Sequence, residues 1–405
     1  METLGERIKK LRKEKGLTLQ TLAGEVLTKG MLSLIENNKA KPSMESLAYI
    51  AGQLGVHPNE LLEEVPTTEL RELLQEVETL YKADLYQPDD FNPIVDKIEP
   101  YAEKLPYRYE SARLLEIYSR CLYYAKLPDW QPVLERAETM YEGLHLVNNS
   151  ADVHMFRAMV TFQQHEYAEA LKMLQDSRRS FEERDAVIDS LKKLDFDFLE
   201  AILYFAIGED AEALRVLKER IDYSREHQIY YKINDLYRVM SFHAILTNDI
   251  ERKDYYVRKL RLFAEFSEDE KIETTLDLLE AHYLISFAHE YDKAEKIIDS
   301  KLEKYKDEEG YDAFYLEKGK VLYHKDNLDE ALKWLQQHKI SDYLHHPYDL
   351  SMNYEKDAYL ALIYEQQGQY DLAVKHAAIA KENIEPMLDL PYKKFILDVY
   401  AQIVQ

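Results

Sequence analysis

The basic side chains of this chain are concentrated at its amino terminus. Residues 1–41 contain nine Lys and Arg against five Glu, whereas residues 65–405 contain 43 basic and 67 acidic residues, a net charge of −24. Clustered lysine and arginine side chains bind phosphate groups, and a strongly acidic surface is repelled by them. The charge distribution therefore predicts that any contact with nucleic acid lies within the first 41 residues.

Other patterns that carry chemistry are missing from the sequence. It has no Walker A loop, no G-x-G-x-x-G motif and no Cys/His set with metal-ligand spacing, so we expect no enzyme activity, no cofactor and no metal. His345 and His346 precede a proline, which favours a loop pair over a metal site. Cys121 lies among Leu and Tyr residues and is interpreted as a buried small side chain. One cysteine and no apolar run of membrane-spanning length predict a cytoplasmic protein without membrane contact.

Helical periodicity and a low content of turn-forming residues predict an all-α protein. The chain has only 11 Gly and 12 Pro in 405 residues. Capping residues and apolar spacing predict five short helices at the amino terminus: Leu4–Lys15, a second capped by Thr18, Lys29–Asn37 capped by Thr28, a fourth capped by Ser43, and a fifth opened by Pro58. Their predicted inward residues include Ile8, Leu11, Leu19, Leu22, Ala23, Val26, Leu32, Ile35, Leu47, Ile50, Ala51 and Leu54.

Residues 4–62 resemble the lambda-repressor-like (Cro/repressor, XRE-type) helix-turn-helix domain. The resemblance is carried by LRKEKGLT, Leu22-Ala23, Ser33-x-Ile35-Glu36, Pro42-Ser43 and Leu47-x-x-Ile50-Ala51-x-x-Leu54. It implies that the third helix enters the major groove of DNA. The residues implied to contact DNA are Thr18, Thr28, Lys29, Gly30, Met31 and Ser33, with Lys39 and Lys41 at phosphates.

The sequence departs from this family pattern at two places. The family usually has Gln directly after the Thr that opens the second helix, and this chain has Leu19. The third helix offers Gly30, Met31 and Leu34 where Arg, Gln or Asn often read base edges. We therefore expect readout that depends on methyl contacts and on DNA shape. The alternative is a retained fold that binds protein instead of DNA.

A repeated pattern follows from about residue 150. A turn is followed by an anchor residue, and three residues later by Ala on the second helix (helix B) of a pair. The copies are HEYAEAL, GEDAEAL, HEYDKAE, DNLDEAL and GQYDLAV, with a degenerate copy NDIERKD. A small residue usually lies twelve positions earlier, on the first helix (helix A). Weaker copies centre on Phe91 and Trp130, which gives about eight pairs between residues 68 and 385 and resembles a right-handed tetratricopeptide-like α-solenoid.

The predicted domains are the helix-turn-helix domain (1–65), a linker helix (66–87, with its helical core at Thr68–Tyr86), the repeats (88–385) and a C-terminal capping or dimerisation helix (386–405). This order resembles the RRNPP family of Gram-positive peptide-pheromone receptors, with PlcR- and NprR-like regulators nearest. The resemblance implies a homodimer that binds a short linear signalling peptide in the repeat groove. Peptide binding would change how the two heads grip a palindromic double-stranded DNA operator.

The residues assigned to the peptide groove are those on A helices that should face inward, many of them able to bind a peptide backbone or carboxylate. They are Phe198, Ile202, Asn234, Arg238, Phe242, Tyr283, Lys320, Tyr323, Asn353 and Gln366. Two alternatives remain open. The repeats could be a scaffold that binds or inhibits a response regulator, or they could only dimerise a constitutive repressor.

Overall fold

The computed structural model describes residues 3–62, 65–82, 87–304 and 312–404, apart from the side chains of residues 59, 60 and 312. Within these ranges every regular element is a helix and no strand is present, so the predicted all-α class is confirmed. The chain divides into two compact units, residues 1–153 and 154–405.

The amino-terminal head consists of five helices, as predicted. They are α1 (Leu4–Glu14), α2 (Leu19–Ala23), α3 (Lys29–Glu36), α4 (Met44–Leu54) and α5 (Pro58–Leu62). The side chains of Thr3, Thr18, Thr28 and Ser43 each accept a hydrogen bond from a backbone N–H in the first turn of the helix that follows. These caps explain why each helix begins where it does, because the first N–H groups of a helix have no partner within it.

Val26 was predicted to face the core, and this prediction is wrong. Its side chain is 60% exposed, whereas Leu22 and Ala23 are fully buried. The helix ends at Ala23 because Gly24 adopts φ +56°, so Val26 lies beyond the apolar face of α2. The other predicted core residues of the head are buried or, for Leu11 and Leu19, pack partly buried against the core.

Four further helices lie entirely within the first unit. They are α6 (Thr67–Tyr81), α7 (Asn92–Ala102), α8 (Tyr109–Tyr124) and α9 (Trp130–Gly143). α6 is most of the predicted linker helix; residues 83–86 of that prediction lie outside the described residues. The fully buried Glu116 of α8 lies 2.8 Å from both Arg113 and Arg120 and accepts a hydrogen bond from the Tyr141 hydroxyl of α9. The bond between Tyr141 and Glu116 thus links α9 to the ion cluster of α8.

The second unit contains the helix pairs predicted from the repeated pattern. Its helices, the first of which begins in the first unit, are α10 (Val147–Gln163), α11 (Tyr167–Glu183), α12 (Ser190–Ala206), α13 (Asp210–His227), α14 (Ile233–Leu246), α15 (Ile250–Ser267), α16 (Glu270–Ser286), α17 (Tyr291–Lys304), α18 (Asp312–His324), α19 (Leu328–Gln337), α20 (Pro347–Gln366), α21 (Tyr370–Ile384) and α22 (Pro391–Val404). Every anchor predicted after residue 150 is the first residue of a B helix: Tyr167, Asp210, Ile250, Tyr291, Leu328 and Tyr370. Of the two weaker anchors, Trp130 begins α9, whereas Phe91 ends a short 3₁₀ helix just before α7. The structure therefore confirms the helical repeats.

Small residues bring the paired helices together. All five alanines at the repeated B-helix position are fully buried: Ala170, Ala213, Ala294, Ala331 and Ala373. On α18, a Cβ at Gly319 would lie 2.5 Å from the side chain of Leu335 on α19, so no larger residue fits there. The two exceptions to the small-residue pattern are Lys253 and His282, and both are buried.

The A helices contact one another as well as the B helices. Consecutive A helices contact one another, α14 with α16, α16 with α18 and α18 with α20. Direct contact between successive A helices is what a solenoid shows on its concave side, where the spacing between repeats is smallest. The ten predicted groove residues all lie on A helices.

Candidate DNA and peptide sites

The third helix of the head presents a continuous exposed face. Thr28 caps α3 through its Oγ1, which accepts a hydrogen bond from the backbone N–H of Met31 at 3.1 Å. Lys29 and Gly30 are exposed, Met31 is 44% exposed and Ser33 is half-buried. A cationic and hydroxyl-bearing helix start with an accessible thioether can contact phosphates and thymine methyl groups.

Residues beside this face were missed by the sequence analysis. Gln20 is exposed on α2, one position after the Leu19 that drew attention as a departure from the family pattern. Thr18 is committed to capping α2, with its Oγ1 3.0 Å from the N–H of Thr21. Leu34 of α3 and the misassigned Val26 are also exposed. The start of α2 at Leu19 could have identified Gln20, because the second position of a capped helix commonly faces solvent.

The cations of the head fall into two groups. Lys39 and Lys41 are exposed in the segment between α3 and α4. Arg12, in contrast, forms a two-point ion pair with Glu36, Nε to Oε1 at 2.6 Å and Nη2 to Oε2 at 2.8 Å, which ties α1 to α3 and raises the pKa of Arg12. Arg7 is buried and donates to the Leu61 carbonyl at 2.8 Å. The lysines are thus available to a ligand, and these two arginines hold the fold.

Two of the predicted groove residues lie inside the protein. Lys320 has no exposed surface, and its Nζ contacts Glu355 at 2.8 Å, Ser286 at 2.9 Å and Glu317 at 3.2 Å. Asn353 is 2% exposed and donates to the Asp349 carbonyl of its own helix. In this conformation a peptide carboxylate cannot reach Lys320, since two carboxylates of the protein already surround its ammonium group.

Lys320 belongs to a buried polar cluster that joins four helices. His282 of α16 contacts Glu317 of α18 through Nδ1 at 2.9 Å and the Tyr392 hydroxyl of α22 through Nε2 at 2.8 Å. Glu355 of α20 completes the cluster through Lys320. Burial alone would raise the pKa of Glu317, but the neighbouring Lys320 and His282 hold it at about 2. The Glu317 carboxylate therefore stays ionised and keeps its contacts with His282 and Lys320.

Two other groove residues, Ile202 and Phe242, are half-buried and contact the turn that opens α20. We call residues 345–348 the His-Pro turn. His346 Nε2 donates to the Ile202 carbonyl at 3.1 Å, and the rings of Phe242 and Tyr348 lie 6.3 Å apart. Tyr348 also donates to Asp210 at 2.9 Å. The inner surface of α12 and α14 is therefore partly occupied by the chain itself.

The remaining groove residues keep part of their surface accessible. Asn234 and Arg238 lie on α14; the Asn234 amide has no hydrogen-bond partner among the described residues, and Arg238 pairs loosely with Asp235 at 3.6 Å. Phe198 lies under the ammonium group of Lys232, and Tyr283 under that of Lys253. Gln366 donates to the Tyr323 hydroxyl at 3.1 Å. Of the ten predicted residues, Lys320 and Asn353 are thus buried, and the other eight keep part of their surface exposed.

Groups that could perform other chemistry are built into the fold. His346 is a hydrogen-bond donor to Ile202 and accepts from the Tyr348 N–H through Nδ1, so its two ring nitrogens are both engaged. Burial raises the pKa of the Cys121 thiol to about 12. The described residues contain no group of three His, Cys, Asp or Glu placed to hold a metal ion, and none of the described helices has the length and apolar character needed to cross a bilayer.

The fold and the exposed α3 face define a helix-turn-helix head joined to helical repeats. Residues 5–65 match a protein family described as a helix-turn-helix domain. The head is therefore a helix-turn-helix domain, as its motifs predicted. None of the curated proteins compared with the chain matches it.

Several solved structures are similar over most of the chain. PlcR of Bacillus thuringiensis, solved with the peptide PapR7 and DNA, is 19% identical, covers 76% of this chain and 98% of its own, and superposes with a TM-score of 0.31. The apo competence regulator ComR of Streptococcus vestibularis is 16% identical, with coverages of 80% and 98% and a TM-score of 0.25. The SHP pheromone receptor Rgg2 of Streptococcus dysgalactiae is 13% identical, with coverages of 82% and 97% and a TM-score of 0.22.

PlcR-like regulators are among the proteins that the sequence resemblance named, and the identity and TM-score of PlcR against this chain are both low.

Proposed function

We propose that this chain is a transcription regulator whose repeat domain binds a short linear peptide and thereby changes the DNA binding of paired helix-turn-helix heads. The observation that carries the proposal is the exposed run Thr28–Met31 at the start of α3, followed by exposed Lys39 and Lys41. Because residues 65–405 are strongly acidic, this cationic run is the surface best suited to a phosphate backbone.

The repeat domain supports the peptide part of the proposal. Asn234 carries an amide without a partner among the described residues, and an amide can donate to a peptide carbonyl and accept from a peptide N–H. Arg238 is exposed on the same helix and is held only by a 3.6 Å contact, so it can pair with a peptide carboxylate. A ligand that favours one arrangement of a homodimer would set the spacing of the two heads and so the affinity for a two-fold operator.

The DNA part is tested by footprinting the full chain on promoter DNA. We expect a protected site with two half-sites, and a loss of protection with Lys29→Ala. Lys13→Ala, which removes an equal charge from an exposed position on α1, is the matched control and should retain most of the affinity. Absence of any protected site would favour a head that binds protein instead.

The peptide part is tested by calorimetry with short peptides from small secreted precursors encoded nearby, followed by operator titration of the complex. Binding that shifts operator affinity supports the proposal. Binding without such a shift, in a protein whose footprint is intact, would favour repeats that only dimerise the heads. Capture of a purified response regulator by the full chain, at a site that the peptide blocks, would favour the scaffold function.

A further inference from the structure

One helix of the repeats carries large apolar side chains on its solvent face. Tyr255, Leu262 and Phe266 of α15 are 38%, 54% and 86% exposed. Side chains four and seven positions apart lie on the same face of a helix, so these three form one line, which we call the outer stripe. On the opposite face, Leu260 and Ala264 are buried in the core. The helix thus has two apolar faces, and the described part of the chain covers only one of them.

Other B helices have charged residues where α15 has the outer stripe. Positions are compared by counting from the first residue of each helix. In place of the three apolar residues, α11 has Lys172, Arg179 and Glu183, and α13 has Arg215, Asp222 and Glu226, all of them exposed. α17 and α21, which end before the third position, have an exposed Lys at the first and an exposed Glu at the second. An apolar residue is therefore not needed there to pair the helices, and a line of such residues marks a surface that another molecule covers.

Two opposite charges beside the outer stripe have no partner within the chain. Arg258 and Glu265 are exposed and lie on the same side of the stripe, and neither forms a hydrogen bond or an ion pair among the described residues. They are seven residues apart, about 10 Å along the helix axis, which is too far for them to pair with each other. At the matching face of α13, in contrast, Arg215 pairs with Glu212 at 2.9 Å and with Glu219 at 3.0 Å.

A second copy of the same helix fits this pattern. When two copies of a helix pair antiparallel about a twofold axis, the same side of each helix meets the same side of the other. With the axis midway between Arg258 and Glu265, each Arg258 lies opposite Glu265 of the second copy, so two ion pairs flank the contact. The same alignment brings Tyr255 near Phe266 of the second copy and places Leu262 next to the axis, against its own counterpart. The outer stripe is thus complementary to itself in charge and in apolar surface.

We infer that the outer face of α15 is the surface through which two copies of this chain associate, as an antiparallel pair of α15 helices. The inference rests on the homodimer of the proposed function and names the surface that forms it. A net charge of −24 over residues 65–405 opposes association of two copies in general. Their contact therefore needs a site of this kind, where arginine meets glutamate and apolar side chains become buried.

The first test is sedimentation velocity of the full chain at a series of micromolar concentrations, without DNA or peptide. Leu262→Asp/Phe266→Glu gives α15 the residues that α13 has at these positions, so the helix should fold, and dimer formation should weaken about a hundredfold or more. The matched control is Leu372→Asp/Val374→Glu, which adds the same charge at exposed apolar positions of α21 and should dimerise like the unaltered protein. Circular dichroism checks that both variants keep their helical content.

Exchange of the two charges tests the antiparallel arrangement itself. Arg258→Glu and Glu265→Arg each place like charges opposite one another twice in the dimer, so each variant should weaken it about tenfold. The double variant Arg258→Glu/Glu265→Arg rebuilds both ion pairs with reversed sign and should recover the dimer. A double variant that dimerises no better than the two single ones would overturn the inference, because only self-pairing of this face predicts the recovery.

The remaining outcomes separate this inference from the proposed function. A dimer that persists in Leu262→Asp/Phe266→Glu would overturn the inference and leave the proposed function standing, with its dimer surface elsewhere. An unaltered chain that stays monomeric would overturn the inference and assign the outer stripe to a different protein. A dimer that dissociates in the stripe and single-charge variants and returns in the double variant, in a chain whose operator binding ignores peptide, would support the inference and refute the proposed function.

Discussion

The head and the repeat domain place their charged side chains differently. In the head, Lys29, Lys39 and Lys41 are exposed, and the Arg12–Glu36 pair lies at the edge of the core. In the repeats, Lys320 and Glu317 have at most 1% of their side-chain surface exposed. The comparison shows that the head leaves these lysines exposed, whereas the repeats use a buried charge cluster to hold helices together.

The largest expected effect comes from breaking the buried cluster. Lys320→Ala leaves Glu317 and Glu355 without their cation, and removing one partner of a buried ion pair costs about 3–5 kcal/mol of unfolding free energy. Urea denaturation of the second unit measures this loss. Lys325→Ala, on the neighbouring turn, removes an exposed lysine that pairs with Asp292 and Glu295 and should leave the urea midpoint almost unchanged. Similar losses for the two variants would contradict the contrast between internal and solvent-exposed charge.

A smaller effect is expected from the ion pair of the head. Glu36→Ala removes the two hydrogen bonds that Arg12 donates to Glu36, and a hydrogen bond to a charged group contributes about 1.5–3 kcal/mol. Hydrogen exchange of the α3 amides measures the change locally, without relying on unfolding of the whole chain. Glu14→Ala, at an exposed position of α1, is the control. Unaltered exchange in Glu36→Ala would mean that the pair does not hold α1 on α3.

The exposed lysines should affect DNA binding and not stability. Lys41→Ala is expected to weaken binding about equally on all sequences and to reduce the slope of log affinity against log salt by about 1, as the loss of one phosphate contact does. Anisotropy titrations at several salt concentrations measure the slope. Lys13→Ala should leave it unchanged. A loss confined to one DNA sequence would instead assign Lys41 to base readout.

The smallest effect concerns the His-Pro turn. Burial lowers the pKa of His346 below its ordinary value, with Asp349 opposing and Arg238 adding to that shift. The unfolded chain therefore takes up a proton first, so the contribution of His346 to stability falls as the pH drops below about 6.5. His346→Gln, which retains a donor for the Ile202 carbonyl, should reduce the fall in urea midpoint between pH 7 and pH 5. An identical pH dependence in the variant would show that folding does not change the pKa of His346.

In the head, most helix starts and core residues could be predicted from residues close in sequence. The starts of α2, α3 and α4 were predicted from the capping residues Thr18, Thr28 and Ser43. Ile8, Leu32 and Ile50 were placed in the core from spacing alone. The one wrong placement, Val26, came from continuing the apolar period of α2 past Gly24, whose left-handed conformation ends the helix. The assignment of Thr28 to Ser33 as DNA contacts stays a prediction, although their exposure agrees with it.

In the repeats, residues close in sequence predicted the helix starts but not the contacts between distant helices. The anchor pattern correctly predicted the starts of six B helices, because each pair folds from neighbouring residues. It could not show that Lys320 would be enclosed by Glu317 and Glu355. Nor could it show that the Ile202 carbonyl would accept a hydrogen bond from His346, 144 residues later in the chain. These contacts depend on which distant helices meet, and period and composition do not record that.

The sequence by itself determined the helices, their pairing into repeats, the helix-turn-helix head and the excess of basic residues within positions 1–41, since caps, small-residue positions and charge are local properties. Only the tertiary structure decided which of the predicted groove residues are buried, because the His-Pro turn and α22 contact helices far back in the chain. Burial depends on that long-range packing. It turned Lys320 from a candidate ligand contact into part of an internal ion cluster, and it left Asn234 and Arg238 accessible.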